Sequence, residues 1–315
     1  MSVIRRKRKK SPLRKAVENH LGYLLFKILI GWVRLLPLNS LSFYGEKIGL
    51  LVYSLYGKRR KIALNNLSLV LGKEKTSEEI EHICRETFKN IGKDMIEMGR
   101  CLDYDAVYLK NTIQLEGKEY LDQALTLGKG VIALSAHFGN FPLMCVRLVK
   151  EGYPFSLVAR DPENPRLARF IASARERIGM ESIPDKPRMT CVSRCLTALK
   201  QNRVLFIQID QNAPATEAWV DFFGYLVPTF KGPIIFSLRT GAPILPMFIL
   251  RESDQLHRIL IHPPYELKLT GNTAQDVLEN IGHLTKIVES VIQKHPEHWW
   301  WIHKRFKRAK NIPPN

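Results

Sequence analysis

Four short apolar runs between residues 131 and 250 constrain the fold of this chain most strongly. They are separated by longer amphipathic segments and cover residues 131–134, 155–158, 204–207 and 244–250. Short continuous apolar runs are typical of strands that are buried on both faces of a sheet. We therefore predict an α/β fold with a largely parallel central sheet flanked by helices, the helices lying near residues 142–150, 165–178 and 189–201.

The sequence before this region has helical rather than strand-like spacing. Apolar residues recur at helical intervals from residue 21, but Lys27 and Arg34 interrupt them before the run reaches the length of a bilayer span. Pro37 ends this helix, and a second apolar helix is predicted over residues 41–56. We expect both helices to lie in a membrane interface, with a short hairpin in the bilayer as the alternative.

The chain is predicted to consist of three parts. Residues 1–20 form a basic N-terminal tail, residues 21–57 form apolar membrane-anchoring helices, and residues 58–310 form the α/β domain. Within the last part, Thr76 and Glu79 have the spacing of a capping box and predict the start of a further helix.

The formal net charge of +18 is concentrated near the two ends of the chain. Basic residues are dense over 5–15 and 304–310, and each block adjoins apolar or aromatic sequence, including Trp299, Trp300 and Trp301. This pairing favours an anionic membrane surface as a partner, with the tryptophans at headgroup level; a solvated tail is the alternative for the first block. Nucleic acid is not expected, because no recognisable binding module accompanies the charge.

Cysteine usage predicts a reducing compartment. The cysteines are odd in number and lack CxxC spacing, which favours free thiols over disulfides or a zinc site: Cys84, Cys101, Cys145, Cys191 and Cys195. No cleavable signal pattern follows the basic start, and a basic segment before an apolar helix fits the positive-inside rule. These observations predict the cytoplasmic face of a membrane.

The strongest candidate site lies where the strand predicted over 131–134 ends. His137 follows that strand directly, and a helix is predicted to start a few residues later. Ligand sites in open α/β sheets form at the carboxyl ends of strands. Gly139 permits close approach of the backbone to a substrate, Asn140 can cap the helix, and Pro142 suits its first turn. A structural histidine is the alternative interpretation.

The segment His137-Phe138-Gly139-Asn140 resembles the signature of the bacterial lipid A late acyltransferases, the lauroyl and myristoyl transferases and their relatives. Further matching segments occur in family order along nearly the whole chain after the basic start. They are Ala63 to Leu67, Ala159 to Pro162 with Asn164-Pro165, Asp210-Gln211, Phe222 to Gly224, Thr229 with Lys231 to Pro233, Arg239 to Pro243 with Pro246, and His295 to Arg305.

This resemblance implies a glycerolipid-acyltransferase-like fold and an inner-membrane enzyme. It implies transfer of an acyl chain from acyl carrier protein, or sometimes acyl-CoA, to a hydroxyl of a lipid A precursor or a related glycolipid, without a cofactor. His137 would be the general base. Donors for the oxyanion would be the N–H groups of residues 138–140 or Arg160, which is alternatively a ligand of an acceptor phosphate.

The resemblance also nominates the remaining site residues. Asp210 matches a functionally important aspartate of the family and is a catalytic candidate, with a structural carboxylate as the alternative. The substrate-binding candidates are Arg160, Gly139, Asn140 and Lys231.

The sequence departs from the family pattern at one position. The family places an acidic residue where Pro142 stands, and that carboxylate normally orients the histidine. Loss of such a partner can cost about 10⁴ in rate. Asp210 is the first candidate to replace it, ahead of Asp161 and Glu217, and a backbone carbonyl is another possibility. The alternative is a catalytically impaired, membrane-associated lipid-binding relative.

Two further features are not expected to carry chemistry, and interface or surface roles are expected for the histidines among them. His295, His298 and His303 are not expected to form a metal site, because no carboxylate or thiol pattern accompanies them. Ser135 lacks the G-x-S-x-G elbow of a nucleophilic serine.

Overall fold

A computed structural model describes residues 11–101 and 103–311. The basic residues 5–10 of the predicted tail lie outside the described residues. Helices form the N-terminal part of the described chain, and α1 already includes residues that were predicted to belong to the tail. These helices are α1 (Pro12–Leu35), α2 (Leu41–Leu55), α3 (Gly57–Leu71), α4 (Ser77–Arg100) and α5 (Ala106–Thr112).

The remainder alternates strands and helices. The strands are β1 (Ile113–Glu116), β2 (Val131–Ser135), β3 (Phe155–Ala159), β4 (Met180–Pro184), β5 (Val204–Gln208), β6 (Ala218–Phe222), β7 (Tyr225–Thr229), β8 (Ile244–Arg251), β9 (His257–Ile261) and β10 (Lys310–Asn311). The helices are α6 (Lys118–Thr126), α7 (Phe141–Lys150), α8 (Pro165–Arg177), α9 (Arg188–Lys200), α10 (Gly232–Thr240) and α11 (Thr273–Lys294).

The central sheet has the strand order β1-β9-β8-β2-β5-β3-β4 within the described residues. Neighbouring strands are parallel except for β8 and β9, which are antiparallel. A smaller antiparallel sheet contains β10, β7 and β6. The predicted fold, a largely parallel sheet flanked by helices, is therefore confirmed. The ends of β2, β5 and β3 lie side by side, so the loops that follow them share one edge.

Strand β2 shows how the sheet is covered on both faces. Ile132 and Leu134 belong to a core layer shared with α9, α10 and α11, whereas Val131 and Ala133 belong to a layer shared with α6 and α7. All four side chains are fully buried. Successive strand residues point to opposite faces, so an unbroken apolar run is what a strand between two helical layers requires.

The N-terminal helices pack on this domain through α4. Helices α2 and α4 approach closely at glycines, and a Cβ on Gly92 would lie 2.2 Å from the backbone oxygen of Gly45. Other faces of α1 and α2 leave large apolar side chains exposed, among them Leu21, Leu24, Leu25, Ile28, Leu29, Leu35, Phe43, Leu51 and Leu55.

A helix that crosses a bilayer has to be both long and apolar. No single described helix meets these two criteria. The segments Leu13–Leu35 and Leu38–Leu55 meet them only as a pair, and a bend of 114° separates the two.

Candidate active site

The loop after β2 carries His137 and is held close to the sheet. Gly139 has φ +54°, and a Cβ there would lie 2.2 Å from the carbonyl oxygen of Ile249 on β8. The Gly139 N–H donates to the carbonyl of His298 at 2.9 Å. Glycine is therefore required both by the positive φ and by the close approach of the two backbones.

Asp210 binds His137 directly. Its Oδ1 lies 2.9 Å from Nδ1 of the imidazole, and its Oδ2 accepts the His137 backbone N–H at 2.9 Å. The indole Nε1–H of Trp299 donates to Oδ2 at 2.8 Å. The carboxylate is buried, whereas the imidazole remains 15% exposed. Asp210, which follows β5, is therefore the carboxylate that contacts the His137 ring, whereas position 142 holds a proline.

The environment of Asp210 keeps it ionised. Burial alone would raise the pKa of this carboxyl, but the neighbouring His137 and the hydrogen bonds from His137 and Trp299 hold its pKa well below the usual range. An ionised carboxylate only accepts hydrogen bonds, so Nδ1 of His137 carries a proton. In the neutral imidazole the lone pair is therefore on Nε2.

Gln211 occupies the Nε2 side of His137. The Gln211 amide nitrogen lies 2.7 Å from Nε2 of His137 and 3.4 Å from Nε2 of His303. Because an amide nitrogen donates, Nε2 of His137 is the acceptor in this contact. Burial is the main cause that lowers the pKa of His303, to about 4, with the nearby His137 adding to it. At neutral pH His303 is thus uncharged and adds no positive charge next to His137.

Two partly buried aromatic residues of the C-terminal segment, Trp300 and His303, contact the His137 ring. The Trp300 N–H donates to the carbonyl of His137 at 3.0 Å, and the Trp300 ring stacks on His303. Trp299 and Trp301 are almost completely buried. The expectation that these tryptophans lie at headgroup level is therefore wrong for Trp299 and Trp301, because both pack inside the protein next to Phe222 or Phe223.

Arg305 fixes the backbone beside Gln211. It is fully buried, its Nη1 donates to the carbonyls of Gln211 (2.8 Å) and Pro228 (2.7 Å), and its Nη2 donates to Oγ1 of Thr229 (2.6 Å). Burial lowers its pKa to about 10, so it remains charged at neutral pH. One member of the second basic block is thus a structural residue of the site rather than a surface charge.

A buried ionic network supports the other side of the loop. Asn140 caps α7 by accepting the Leu143 N–H, and its Nδ2 donates to Oε2 of Glu97 at 2.7 Å. Arg251 donates to both Glu97 (2.5 and 2.8 Å) and Asp94 (2.6 Å). Asn140 is almost fully buried, and both ends of its amide bind protein atoms. In this structure it positions the loop.

The other predicted residues form no hydrogen bond, ion pair or ring contact with His137 in the described part of the chain. Arg160 follows β3, is largely exposed, and binds Asp185 with two hydrogen bonds of 2.9 and 2.7 Å. Lys231 precedes α10, and its N–H donates to Glu217 at 3.3 Å. Glu217 also pairs with Arg188.

Asp161 is exposed. Of the three acids considered as replacements, Asp210 alone contacts the His137 ring.

Several residues of the site were not predicted. Gln211, Trp299, His303 and Arg305 all lie in the segments that resemble the acyltransferase family, but none of them was predicted to contact His137 or Asp210. The sequence feature that could have identified them is their position. Gln211 directly follows Asp210, and the other three lie within one aromatic, basic segment. Only the folded chain shows that this segment contacts the loop after β2, through the paired backbones of Phe138 and Trp299.

The fold and the geometry of the site together indicate a class of protein. A histidine whose Nε2 lone pair lies at the carboxyl edge of a parallel sheet, with a buried carboxylate bound to Nδ1, is suited to removing a proton from a hydroxyl once the Gln211 amide is displaced. The chain belongs to the bacterial lipid A biosynthesis acyltransferases, whose family model matches residues 8–308. The protein is therefore an acyltransferase.

Individual relatives agree with this assignment. The chain is 26% identical over 279 residues to the lipid A biosynthesis palmitoleoyltransferase of Escherichia coli, covering 88% of this chain and 87% of the relative. It is 23% identical to the lauroyltransferase of that organism, covering 88% and 89%. The phosphatidylinositol mannoside acyltransferase of Mycolicibacterium smegmatis is 26% identical, covering 60% and 62%.

Proposed function

We propose that the protein transfers a fatty acyl chain from acyl carrier protein, or from acyl-CoA, to a hydroxyl of a lipid A precursor or a related glycolipid. The relatives named for lipid A and for phosphatidylinositol mannoside support a glycolipid acceptor. The observation that carries the proposal is the contact of Asp210 with Nδ1 of His137, which leaves Nε2 as a base.

In this proposal His137 first accepts a proton from the acceptor hydroxyl and then donates that proton to the leaving thiolate. The acceptor hydroxyl takes the place of the Gln211 amide at Nε2 and gives its proton to that nitrogen as its oxygen bonds to the thioester carbon. The carbonyl π electrons move to oxygen and return as the carbon–sulfur bond breaks. The departing thiolate then takes the proton from Nε2. Asp210 stabilises the transient imidazolium, so the products are an ester and a free thiol.

The oxyanion needs a hydrogen-bond donor, and two of the backbone N–H groups in the loop after β2 already have partners. The Phe138 N–H donates to Ala136 and the Gly139 N–H to His298, so both are already used. We assign the oxyanion to the Asn140 N–H, which has no partner among the described residues, or to Arg160, whose guanidinium would have to release Asp185. We place an acceptor phosphate near Arg160 and Lys231.

The competing hypothesis is a catalytically impaired lipid-binding relative, which the proline at position 142 suggests. The buried contact between Asp210 and His137 argues against it, because the orienting carboxylate is supplied by a different strand end. The ionised state of Asp210 and the hydrogen bond from Trp299 are what such a partner requires.

We also propose that the protein works on the cytoplasmic face of the bacterial inner membrane. The exposed apolar residues of α1 and α2 form a patch larger than single scattered residues, and such patches mark partner or membrane surfaces. Basic residues at the start of α1, including Arg14 and Lys15, would face anionic headgroups.

The test is transfer of a labelled acyl chain from acyl carrier protein to a lipid A precursor, with acyl-CoA and a phosphatidylinositol mannoside as the second donor and acceptor. We expect the His137→Ala variant to lose about 10² to 10⁴ in rate. The matched control is His82→Ala, which removes an exposed histidine of α4. Full transfer by His137→Ala contradicts the role of His137, and absence of transfer by the unmodified protein with all pairs favours the impaired relative.

A further inference from the structure

The turn between α11 and Trp299 brings together three side chains with metal-binding chemistry. This turn is a short 3-10 helix over Pro296–His298, closed by a hydrogen bond of 3.2 Å from the His298 N–H to the His295 carbonyl. In 3-10 geometry, side chains three residues apart lie above one another. The rings of His295 and His298 accordingly face each other, with centroids 5.9 Å apart and planes 34° apart.

Glu297 completes the group from the same turn and supplies the carboxylate that the sequence pattern alone did not reveal. The nearest ligand atoms of His295, Glu297 and His298 all lie within 4.8 Å of one another, and Glu297 Oε1 is 3.7 Å from Nδ1 of His298. Bonds of about 2.1 Å in a tetrahedral site put neighbouring ligand atoms roughly 3.4 Å apart. Ligand atoms 4.8 Å apart therefore have to approach each other by about 1.4 Å, and the side chains of Glu297 and His295, which would move, are only half-buried.

A second observation points to a ligand. The side chain of His298 is 8% exposed, and its Nδ1 is buried without a hydrogen-bond partner among the described residues. Leaving a buried polar nitrogen without a partner is costly. Its nearest acidic neighbour, Glu297, is beyond hydrogen-bonding distance. An ion between these groups would satisfy both the nitrogen and the carboxylate.

We propose that His295, Glu297 and His298 bind one divalent transition-metal ion, with zinc as the representative ion. Two imidazole nitrogens and one carboxylate oxygen form a ligand set that zinc accepts, leaving a fourth position for water. Imidazole ligands favour zinc, nickel and copper over magnesium and calcium. Within the described residues, no other group of histidine, cysteine and acidic side chains converges as closely.

The ion would stiffen the segment that supports the catalytic loop. The carbonyl of His298 accepts the Gly139 N–H, and the next residue, Trp299, binds Asp210. The proposed ion therefore has a structural role at a distance from the acyl-transfer chemistry. Binding of the ion does not depend on the proposed substrate, so it can be tested without an acyl donor.

The experiment uses the full chain without a polyhistidine tag, stripped of metal with a chelator. Co²⁺ is added while visible absorption is recorded, and Zn²⁺ affinity is measured by competition with a coloured chelator. The variants are His295→Ala and Glu297→Gln, whose side chains are only half-buried and whose loss leaves the core intact. His82→Ala is the matched control, and Mg²⁺ is the control ion.

We expect one equivalent of Co²⁺ to give absorption bands, Zn²⁺ to displace it, and Mg²⁺ to have no effect. Each variant is expected to lose at least about tenfold in Zn²⁺ affinity, whereas His82→Ala retains it. Zn²⁺ should also raise the melting temperature of the unmodified protein and not of the variants. The proposal is overturned by the absence of stoichiometric binding, or by unmodified affinity in both His295→Ala and Glu297→Gln.

Discussion

Asp210 binds His137 twice, at Nδ1 of the ring and at the backbone N–H, with both distances 2.9 Å. The two residues are 73 positions apart and follow adjacent parallel strands, β5 and β2. One carboxylate thus fixes both the position of the loop and the tautomer of the ring. The geometry depends on the register of two strands and not on a local sequence motif.

This relationship predicts that Asp210→Asn disables the base. Asparagine can present its own N–H to Nδ1, which stabilises the wrong tautomer and removes the lone pair from Nε2. We expect the rate of acyl transfer to fall by about 10⁴, with a smaller change in KM. The measurement is steady-state transfer across a pH series.

Asp161→Asn is the matched control for this variant, since it neutralises an exposed carboxylate after β3. Its rate should stay within about a factor of two of the unmodified protein. Equal losses in the two variants would show that net charge, rather than contact with His137, controls the rate.

Glu97→Gln should destabilise the fold, because Glu97 shares the Arg251 guanidinium with Asp94 and holds Asn140. Breaking a buried ion pair from one side costs about 3 kcal/mol or more in the free energy of unfolding. Urea denaturation followed by circular dichroism measures this loss.

Glu86→Gln provides the comparison on the same helix. Its partner is Lys89, and the pair is partly solvent-exposed, so the expected loss is below about 0.5 kcal/mol. A similar small loss in Glu97→Gln would show that the network around Arg251 contributes little to stability.

His257 predicts a dependence of stability on pH. Burial is the main cause that lowers its pKa to about 4, and its side chain is 3% exposed. Between pH 4 and about 6.5 the unfolded chain binds more protons than the folded chain at this residue, so the free energy of unfolding falls as pH is lowered. The contribution lost is on the order of 3 kcal/mol.

Melting temperatures at pH 7 and pH 4.5 test this prediction in His257→Gln. The variant should show a shallower decrease than the unmodified protein, with some decrease remaining because burial also lowers the pKa of His303. His82→Gln should follow the unmodified protein. A parallel decrease in all three would exclude His257 as a source of the pH effect.

If α1 binds the membrane, negative charges introduced at its exposed apolar residues should weaken the binding of the protein to vesicles. Leu25 and Ile28 are 66% and 60% exposed, so Leu25→Glu combined with Ile28→Glu should leave the free energy of unfolding unchanged. We expect binding to phosphatidylglycerol vesicles, measured by co-sedimentation, to weaken by at least about tenfold.

Leu127→Glu introduces the same charge at an exposed leucine at the end of α6, outside the N-terminal helices. It should retain vesicle binding. Equal vesicle binding by the unmodified protein, the α1 double variant and Leu127→Glu would contradict the proposed role of α1.

Sequence patterns predicted the strongly apolar elements well and missed the polar ones. The run at 204–207 became β5, one residue longer, because a strand buried on both faces has to be apolar. Strand β4 at the edge of the sheet contains Glu181 and Ser182, and the β6–β7 hairpin contains Asp221 and Pro228. Such strands lack an apolar run, so the pattern gave no signal for them.

The site was predicted in part for a similar reason. His137 stands directly after an apolar strand, where position alone suggests function, and Asp210 stands after another. Trp299 and Arg305 reach the site from a segment without a predicted element. Their side chains suggested a membrane-surface role, because Trp prefers the headgroup level and basic residues are attracted to anionic lipids, and only the tertiary contacts show that both are buried.

The pairing of Phe138 with Trp299 also has a consequence for the time at which the site forms. During synthesis the ribosome releases the histidine loop and β5 long before the tryptophan that braces Asp210. A nascent chain that has not yet reached Trp299 therefore contains His137 and Asp210 without the hydrogen bond from Trp299 to Asp210. Completion of the site waits until this later segment has left the ribosome, so chains that have not yet reached Trp299 lack a finished active site.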